Sequence, residues 1–236
     1  MEIVAITQIS PDQVVLFQWK WIIINATLVY TWLVMGLLAA GSFIVTRNLS
    51  SARTLSRAQN LMEMILSAVR FEISEIAPDG DRYFPFIATL FLFILLSNLL
   101  TFIPGYVAPT AALTTTSALA VSVFFAVPIF GITKQGFLEY LKEYFRPNFI
   151  FFPFHIMGEF SRTLALAVRL FGNLMSHEKV VAILLAVTPL FFPIIMQALG
   201  LLIGLIQAYI FAILAMVYIA SASQSHEVTE HSGNKH

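Results

Sequence analysis

An all-α protein that crosses a membrane about five times is what these 236 residues predict. Three observations lead there. Hydrophobic residues make up 58% of the chain and charged residues only 11%, against about 25% charged in a soluble domain. Long apolar runs recur along the chain, bounded by turn residues. Basic residues collect in alternate connections between those runs. The same composition excludes a disordered chain. Thirteen Lys and Arg against thirteen Asp and Glu leave no basic excess, so no nucleic-acid partner is expected. Cysteine is absent, which excludes a disulfide framework, a zinc ribbon and a thiol nucleophile.

Residues 1–20 carry Glu2 and Asp12 ahead of their only cation, Lys20, the reverse of a cleaved signal peptide. The mature chain is therefore expected to start near Met1, with an external N-terminus. The first span is expected over 21–45, with Trp19 and Trp21 as interfacial anchors at its entrance. Residues 50–77 read as an amphipathic helix. Leu55, Met62, Ile65, Leu66, Val69 and Ile73 fall at helical spacing, while Arg57, Glu63, Arg70 and Glu75 fill much of the remainder. Such a helix lies on the membrane surface or packs on a partner subunit. Pro78-Asp79-Gly80-Asp81 ends it.

The second span is expected over 83–103, closed by Pro104-Gly105, and the third over 111–132, with hydroxyls from Thr114 to Ser117 near its start. A short amphipathic helix follows and meets Pro147. Two long arms, 156–187 and 194–221, are separated by Thr188-Pro189 and Pro193 and followed by a polar tail, 223–236. About 30 residues per arm give about 45 Å, longer than the roughly 30 Å hydrocarbon core, so the arms tilt or protrude. Arg47, Arg53, Arg57, Arg70 and Arg82 share one connection, and Lys134, Lys142 and Arg146 the next on that side. The positive-inside rule places those connections and the tail in the cytoplasm.

Ionisable groups within a span are the informative residues, because each costs at least about 2.5–3.5 kcal/mol at mid-bilayer. The arm 156–187 holds Glu159, Arg162, Arg169, His177, Glu178 and Lys179. Arg169 lies near its middle with no acid beside it in sequence, and a guanidinium does not deprotonate there. No other segment offers a mid-membrane acid, so its counter-charge is expected from another subunit. At 100° per residue, Arg162, Arg169, Asn173 and Ser176 form one polar stripe. Glu178 points to roughly the opposite side, about 13 Å further along. On the last arm Gln197, Gly200, Gly204, Gln207, Phe211, Leu214 and Tyr218 recur at steps of three and four, a stripe of small and amide residues that allows close approach. Gln207 can hydrogen-bond to the Arg-bearing arm. His177-Glu178 lacks the second His of a zincin, and no phosphate-binding loop, nucleophile elbow or dinucleotide fingerprint is present. No cofactor, metal or catalytic site is expected.

Arg169-Leu170-Phe171-Gly172-Asn173 followed by Glu178 resembles the signature of subunit a of F-type ATP synthases. Pro153 and Glu159-Phe160-Ser161-Arg162 are similar to that family's lead-in, and Gln207-Ala208-Tyr209-Ile210-Phe211 with Val217-Tyr218 to its last helix. Pro109-Thr110, Thr114–Thr116 and Ala118-Leu119-Ala120 resemble the segment before its third span. The likeness covers 83–221. It implies a bacterial or archaeal plasma-membrane stator subunit that is not itself catalytic and works beside a ring of c subunits, a b-subunit stalk and the other ATP synthase subunits. It implies that Arg169 faces the ring carboxylate and blocks leakage between two half-channels, that Asn173 and Gln207 line or orient that interface, and that Glu178 is the acid of one half-channel. Ser176, His177, Glu159, Arg162, Gly200 and Gly204 are further candidates for channel lining. A bulky residue at Gly200 would obstruct the ring interface. Some relatives carry a polar residue at position 200, paired with the acid at 178; Gly200 leaves that partner open, with His177 or water as candidates. Thr101 stands where some relatives have an acid. The coupling ion stays open between proton and sodium; Gln18-Trp19-Lys20-Trp21 and Asn25-Ala26-Thr27 suggest an unusual subclass. The competing reading is a stand-alone secondary ion transporter with a buried Arg, but the repeated halves such transporters carry are not seen. An intramembrane enzyme would need a nucleophile or metal pair with suitable neighbours.

Overall fold

The computed structural model describes residues 15–19, 22–47, 57–77, 80–103, 106–144, 152–187 and 192–224. The expected N-terminal segment before Val15, the turns at Pro78-Asp79, Pro104-Gly105, Pro147 and Thr188-Pro189, and most of the polar tail lie outside the described residues. The architecture is all-α, with one small addition. Strands β1 (Val15–Trp19) and β2 (Ile22–Asn25) pair antiparallel, and helix α1 (Ala26–Arg47) starts only after them. The first span was expected from Trp21, five residues earlier. Three consecutive isoleucines, Ile22 to Ile24, resist the first turn of a helix and suit a paired strand.

The remaining helices follow the sequence closely: α2 (Arg57–Ile76), α3 (Phe84–Leu99, continued by a 3₁₀ turn Leu100–Phe102), α4 (Leu113–Gln135), α5 (Phe137–Tyr144), α6 (Phe152–Val187) and α7 (Phe192–Gln224). Short 3₁₀ turns, Gly80–Arg82 and Pro109–Ala111, lead into α3 and α4. Five helices are long and apolar enough to cross a membrane, at Ala26–Ile44, Phe84–Phe102, Leu113–Gln135, Phe152–Val187 and Ile194–Ser223. Pro85 and Pro153 sit in the first turns of α3 and α6, where the missing N–H costs nothing. Gly136, at φ 88°, ends α4, and its N–H caps the Ile132 carbonyl at 2.8 Å. The chain then folds back so that the Tyr140 ring lies on Gly131, where an added Cβ would stand 2.6 Å from the ring.

Helices α6 and α7, 36 and 33 residues long, pack on each other and on α4, while α3 lies against α7. The inward face of α7 is Ala208, Phe211, Ala212, Ala215, Met216, Ile219 and Ala220, all buried. Small residues dominate it because hydrocarbon tails solvate large apolar groups as well as a protein does, so tight packing is what holds membrane helices together. Helix α2 packs on this chain's own α3 and α7 through Val69, Ile73 and Ile76. Both orientations expected from sequence, lipid surface and partner subunit, concern its other face, where Met64 and Phe71 are exposed. Arg70 ties α2 to the following turn through Asp81 at 2.8 Å, and its guanidinium lies 5.9 Å from the Phe84 ring centre.

At Gly204, α3 and α7 pack tightly: a Cβ there would meet Asn98 Cβ at 2.8 Å and Cγ at 3.0 Å. Gly204→Leu is expected to force the two helices apart at an overpacking cost of about 1–3 kcal/mol. Lower thermal stability of the purified complex, with Gly158→Leu on open α6 surface as the comparison, checks it.

A polar seam between the two long helices

Helices α6 and α7 run antiparallel, and polar contacts join them at three levels. Arg162 lies with its guanidinium 5.7 Å from the Tyr218 ring centre. Three turns on, Asn173 Nδ2 donates to Gln207 Oε1 at 2.6 Å. Gln207 is 2% exposed, and a buried amide left alone costs about 1–3 kcal/mol. One further turn along α6, the His177 imidazole fills the space over Gly200, where an added Cβ would overlap its ring atoms. The stripe read from sequence on α7 is thus a face turned inward. Gly200 and Gly204, expected to allow close approach, admit His177 of α6 and Asn98 of α3. Both are buried, because the helices cross where the side chains are smallest.

Arg169 lies one turn from Asn173. It is exposed, and among the described residues no hydrogen bond or ion pair reaches it. Arg162, Asn173 and Ser176 are exposed on the same face. Glu178 faces elsewhere. It is half-buried, against the backbone N–H of Ala108 in the loop before α4. Glu159 and Lys179 are both engaged by neighbours in this chain.

The sequence reading missed the polar residues that complete the seam. Asn98 Nδ2 donates to the Gly204 carbonyl at 3.0 Å, and Thr110 Oγ1 donates to Asn98 Oδ1 at 3.0 Å. Ser97 Oγ lies 3.3 Å from Thr110 Oγ1. All three side chains are buried, Ser97 and Thr110 completely. Thr101, singled out for replacing an acid, belongs here too: Gln197 Nε2 donates to its carbonyl at 3.0 Å, while its hydroxyl donates back to Asn98 O. The signal was available, since Ser97-Asn98 interrupts an otherwise apolar run, and buried polar groups in a span need partners. Tyr106, at the edge of this cluster, lies outside the spans; burial pushes its hydroxyl up to about 12, so it stays a neutral hydroxyl at physiological pH.

The space over Gly200 holds one imidazole. Gly200→His alone is expected to lower the yield of assembled complex, by an overpacking penalty of about 1–3 kcal/mol. His177→Gly together with Gly200→His should restore it, because the ring then fills the same volume from the other helix. Yield and thermal stability of the two variants, measured side by side, check the pairing.

A sequence model of the family described as ATP synthase A chain matches residues 28–220. The chain is 59% identical over 217 residues to ATP synthase subunit a 2 of Acaryochloris marina, covering 92% of this chain and 93% of that one. It is 54% identical over 221 residues to ATP synthase subunit a 2 of Picosynechococcus, covering 93% and 95%. With ATP synthase subunit a of Albidiferax ferrireducens it shares 50% identity over 230 residues, covering 97% and 100%. The helices able to span a bilayer, the Arg169 and Gln207 motifs and this similarity agree, and the chain belongs to the ATP synthase subunit a family of multi-pass membrane proteins.

Proposed function

We propose that this chain is the ion-translocating stator subunit of a rotary ATP synthase, a single membrane domain that has no catalytic site of its own. The observation that supports this best is Arg169: a permanent cation within a membrane-crossing helix, on an exposed face, with no partner found among the described residues of its own chain. Its natural partner is a carboxylate on the c-subunit ring. In lipid such a carboxylate must be neutral, through a proton or a bound cation. Beside Arg169 it ionises and releases its ion, because an opposite charge favours the charged form. The same guanidinium repels a cation that would pass straight between the two half-channels. The Asn173–Gln207 bond fixes the backbone one turn away and keeps Arg169 facing outward.

Glu178, with His177 over Gly200 and the Ser97–Asn98–Thr110 cluster, lines one half-channel. Glu178 takes the ion and hands it toward the ring; His177 takes the place of the polar residue that some relatives carry at position 200. Ser176, Arg162 and Glu159 lie along the Arg169-bearing helix toward its two ends. Each ion crossing 100 mV releases about 2.3 kcal/mol, and the torque comes from rotation biased by that release. The Arg-rich connections and the tail face the cytoplasm of a bacterial cell, the N-terminus lies outside, and the b-subunit stalk and remaining synthase subunits hold the chain against the turning ring.

Arg169→Ala is expected to abolish ion-coupled ATP synthesis while the complex still assembles; coupling at the unaltered level would defeat this assignment. Glu178→Gln should slow ion flux without ending it, and unchanged flux would remove Glu178 from the path. Sodium protection of the ring carboxylate against carbodiimide at alkaline pH identifies sodium as the coupling ion; its absence identifies the proton.

A further inference from the structure

Helix α5 is eight residues long and packs on the end of α4, away from the seam between α6 and α7. At 3.6 residues per turn its side chains sort into three directions. Phe137, Leu141 and Leu138 share one arc of about 100°, and they are 63%, 41% and 71% exposed. Tyr140 points about a quarter turn to one side of that arc. It is buried, with its ring laid on Gly131 of α4. Glu139 lies beyond Tyr140, on the side away from the apolar arc, and Lys142 borders the arc next to Leu138; both are exposed.

The rotation of α5 is fixed at two places. Gly136, at φ 88°, turns the chain out of α4. Gly131 leaves room for the Tyr140 ring, which lies 2.6 Å from where a Cβ would stand. The same level of α4 also holds the end of α7. Gln135 Nε2 donates to the Ala222 carbonyl at 3.3 Å, and that carbonyl lies 3.5 Å from the position of a Cβ on Gly131. Helix α5 and the last turns of α4 and α7 therefore form one corner.

Two observations say what covers the apolar arc. The first is continuity. Val121, Phe125 and Ile129 are exposed at four-residue steps along the spanning helix α4. Their stripe runs toward Lys134 in the last turn, just before α5 begins, and a lysine at the end of a span sits where its charge reaches the headgroups. The second is size. Three such side chains offer on the order of 300 Å², well below the roughly 800 Å² per partner of a specific protein interface. A helix with one apolar and one charged side, placed at the end of a span, suits the boundary between headgroups and acyl chains. Lys142, at the rim of the arc, can lay its stem along the tails and keep its charge among phosphates.

We propose that α5 is a lipid-binding foot: Phe137, Leu138 and Leu141 enter the headgroup–acyl boundary of the leaflet in which α4 and α7 end, and Tyr140, seated on Gly131, sets which face of the helix meets the lipid. Through the corner at Gln135 and Ala222 the foot fixes the depth of the ends of α4 and α7.

The chain has no cysteine of its own, so single thiols on α5 carry a nitroxide cleanly once cysteines in the other subunits are replaced. Leu138→Cys and Glu139→Cys are labelled in the complete synthase, in vesicles of phosphatidylcholine and phosphatidylglycerol. Collision with oxygen, which concentrates in lipid, and with a nickel chelate, which stays in water, is read by power saturation. The oxygen-to-nickel ratio at Leu138 is expected to exceed that at Glu139 severalfold. Equal ratios overturn the foot, because both labels are then in water. A Leu138 label shielded from both reagents also overturns it, because a protein then covers the arc. Tyr140→Ala removes the ring from its recess and should shrink the contrast between the two labels, while Tyr140→Phe keeps the ring and should keep the contrast. Full contrast in Tyr140→Ala, or its loss in Tyr140→Phe, overturns the part assigned to the ring.

Discussion

A guanidinium within a membrane span cannot lose its charge, and hydrocarbon offers it nothing. In this fold Arg169 stands on an exposed face of α6. No acid in this chain approaches it among the described residues. Instead α7 packs along the helix that carries it, through Arg162 and Asn173 on the same stripe, and Arg169 itself is left exposed. A protein whose only task was to fold would have paired that charge internally or replaced it by leucine, since a buried pair gains little over an apolar substitute.

The holding is done by α7. Four positions on one stripe of this helix, Gln197, Gly200, Gly204 and Gln207, each meet a polar group from a different turn: the Thr101 carbonyl, the His177 ring, the Asn98 side chain and the Asn173 amide. The glycines allow approach, and the amides supply partners that only fit at that approach. In a membrane neither device suffices alone. Small residues without hydrogen bonds leave register loosely specified, and polar groups without close packing stay unsatisfied. Together they fix the angular position of Arg169 on one side and of Glu178 on the other. Opposed faces on one helix are what a stator needs if one is to touch a rotor while the other meets an ion.

Much of this was legible in the sequence. Arg169 stood out because a lone cation in a long apolar run has few structural explanations, and the angular separation of Glu178 follows from helix geometry alone. The five spanning helices follow from hydropathy, because each must satisfy its own backbone hydrogen bonds within the bilayer. Less legible were the residues whose meaning is a meeting. Ser97, Asn98 and Thr110 are ordinary polar residues until α3 and the turn before α4 are laid on α7. Gly200 read as a place of close approach, and only the packed helices show that His177 fills it. The β1–β2 hairpin escaped because a run of isoleucines serves a strand and an apolar helix equally well in a hydropathy profile.

By itself, then, the sequence determined which segments enter the membrane, which charge is stranded there and which side of its helix that charge occupies, for these depend on composition and on a fixed period of 3.6 residues. Only the tertiary structure decided which residues meet between the helices. The pairing of Asn173 with Gln207, of His177 with Gly200 and of Asn98 with Gly204 depends on how far one long helix slides along its neighbours. That register is set by the sum of many close contacts between small side chains, and no single segment of the chain contains it.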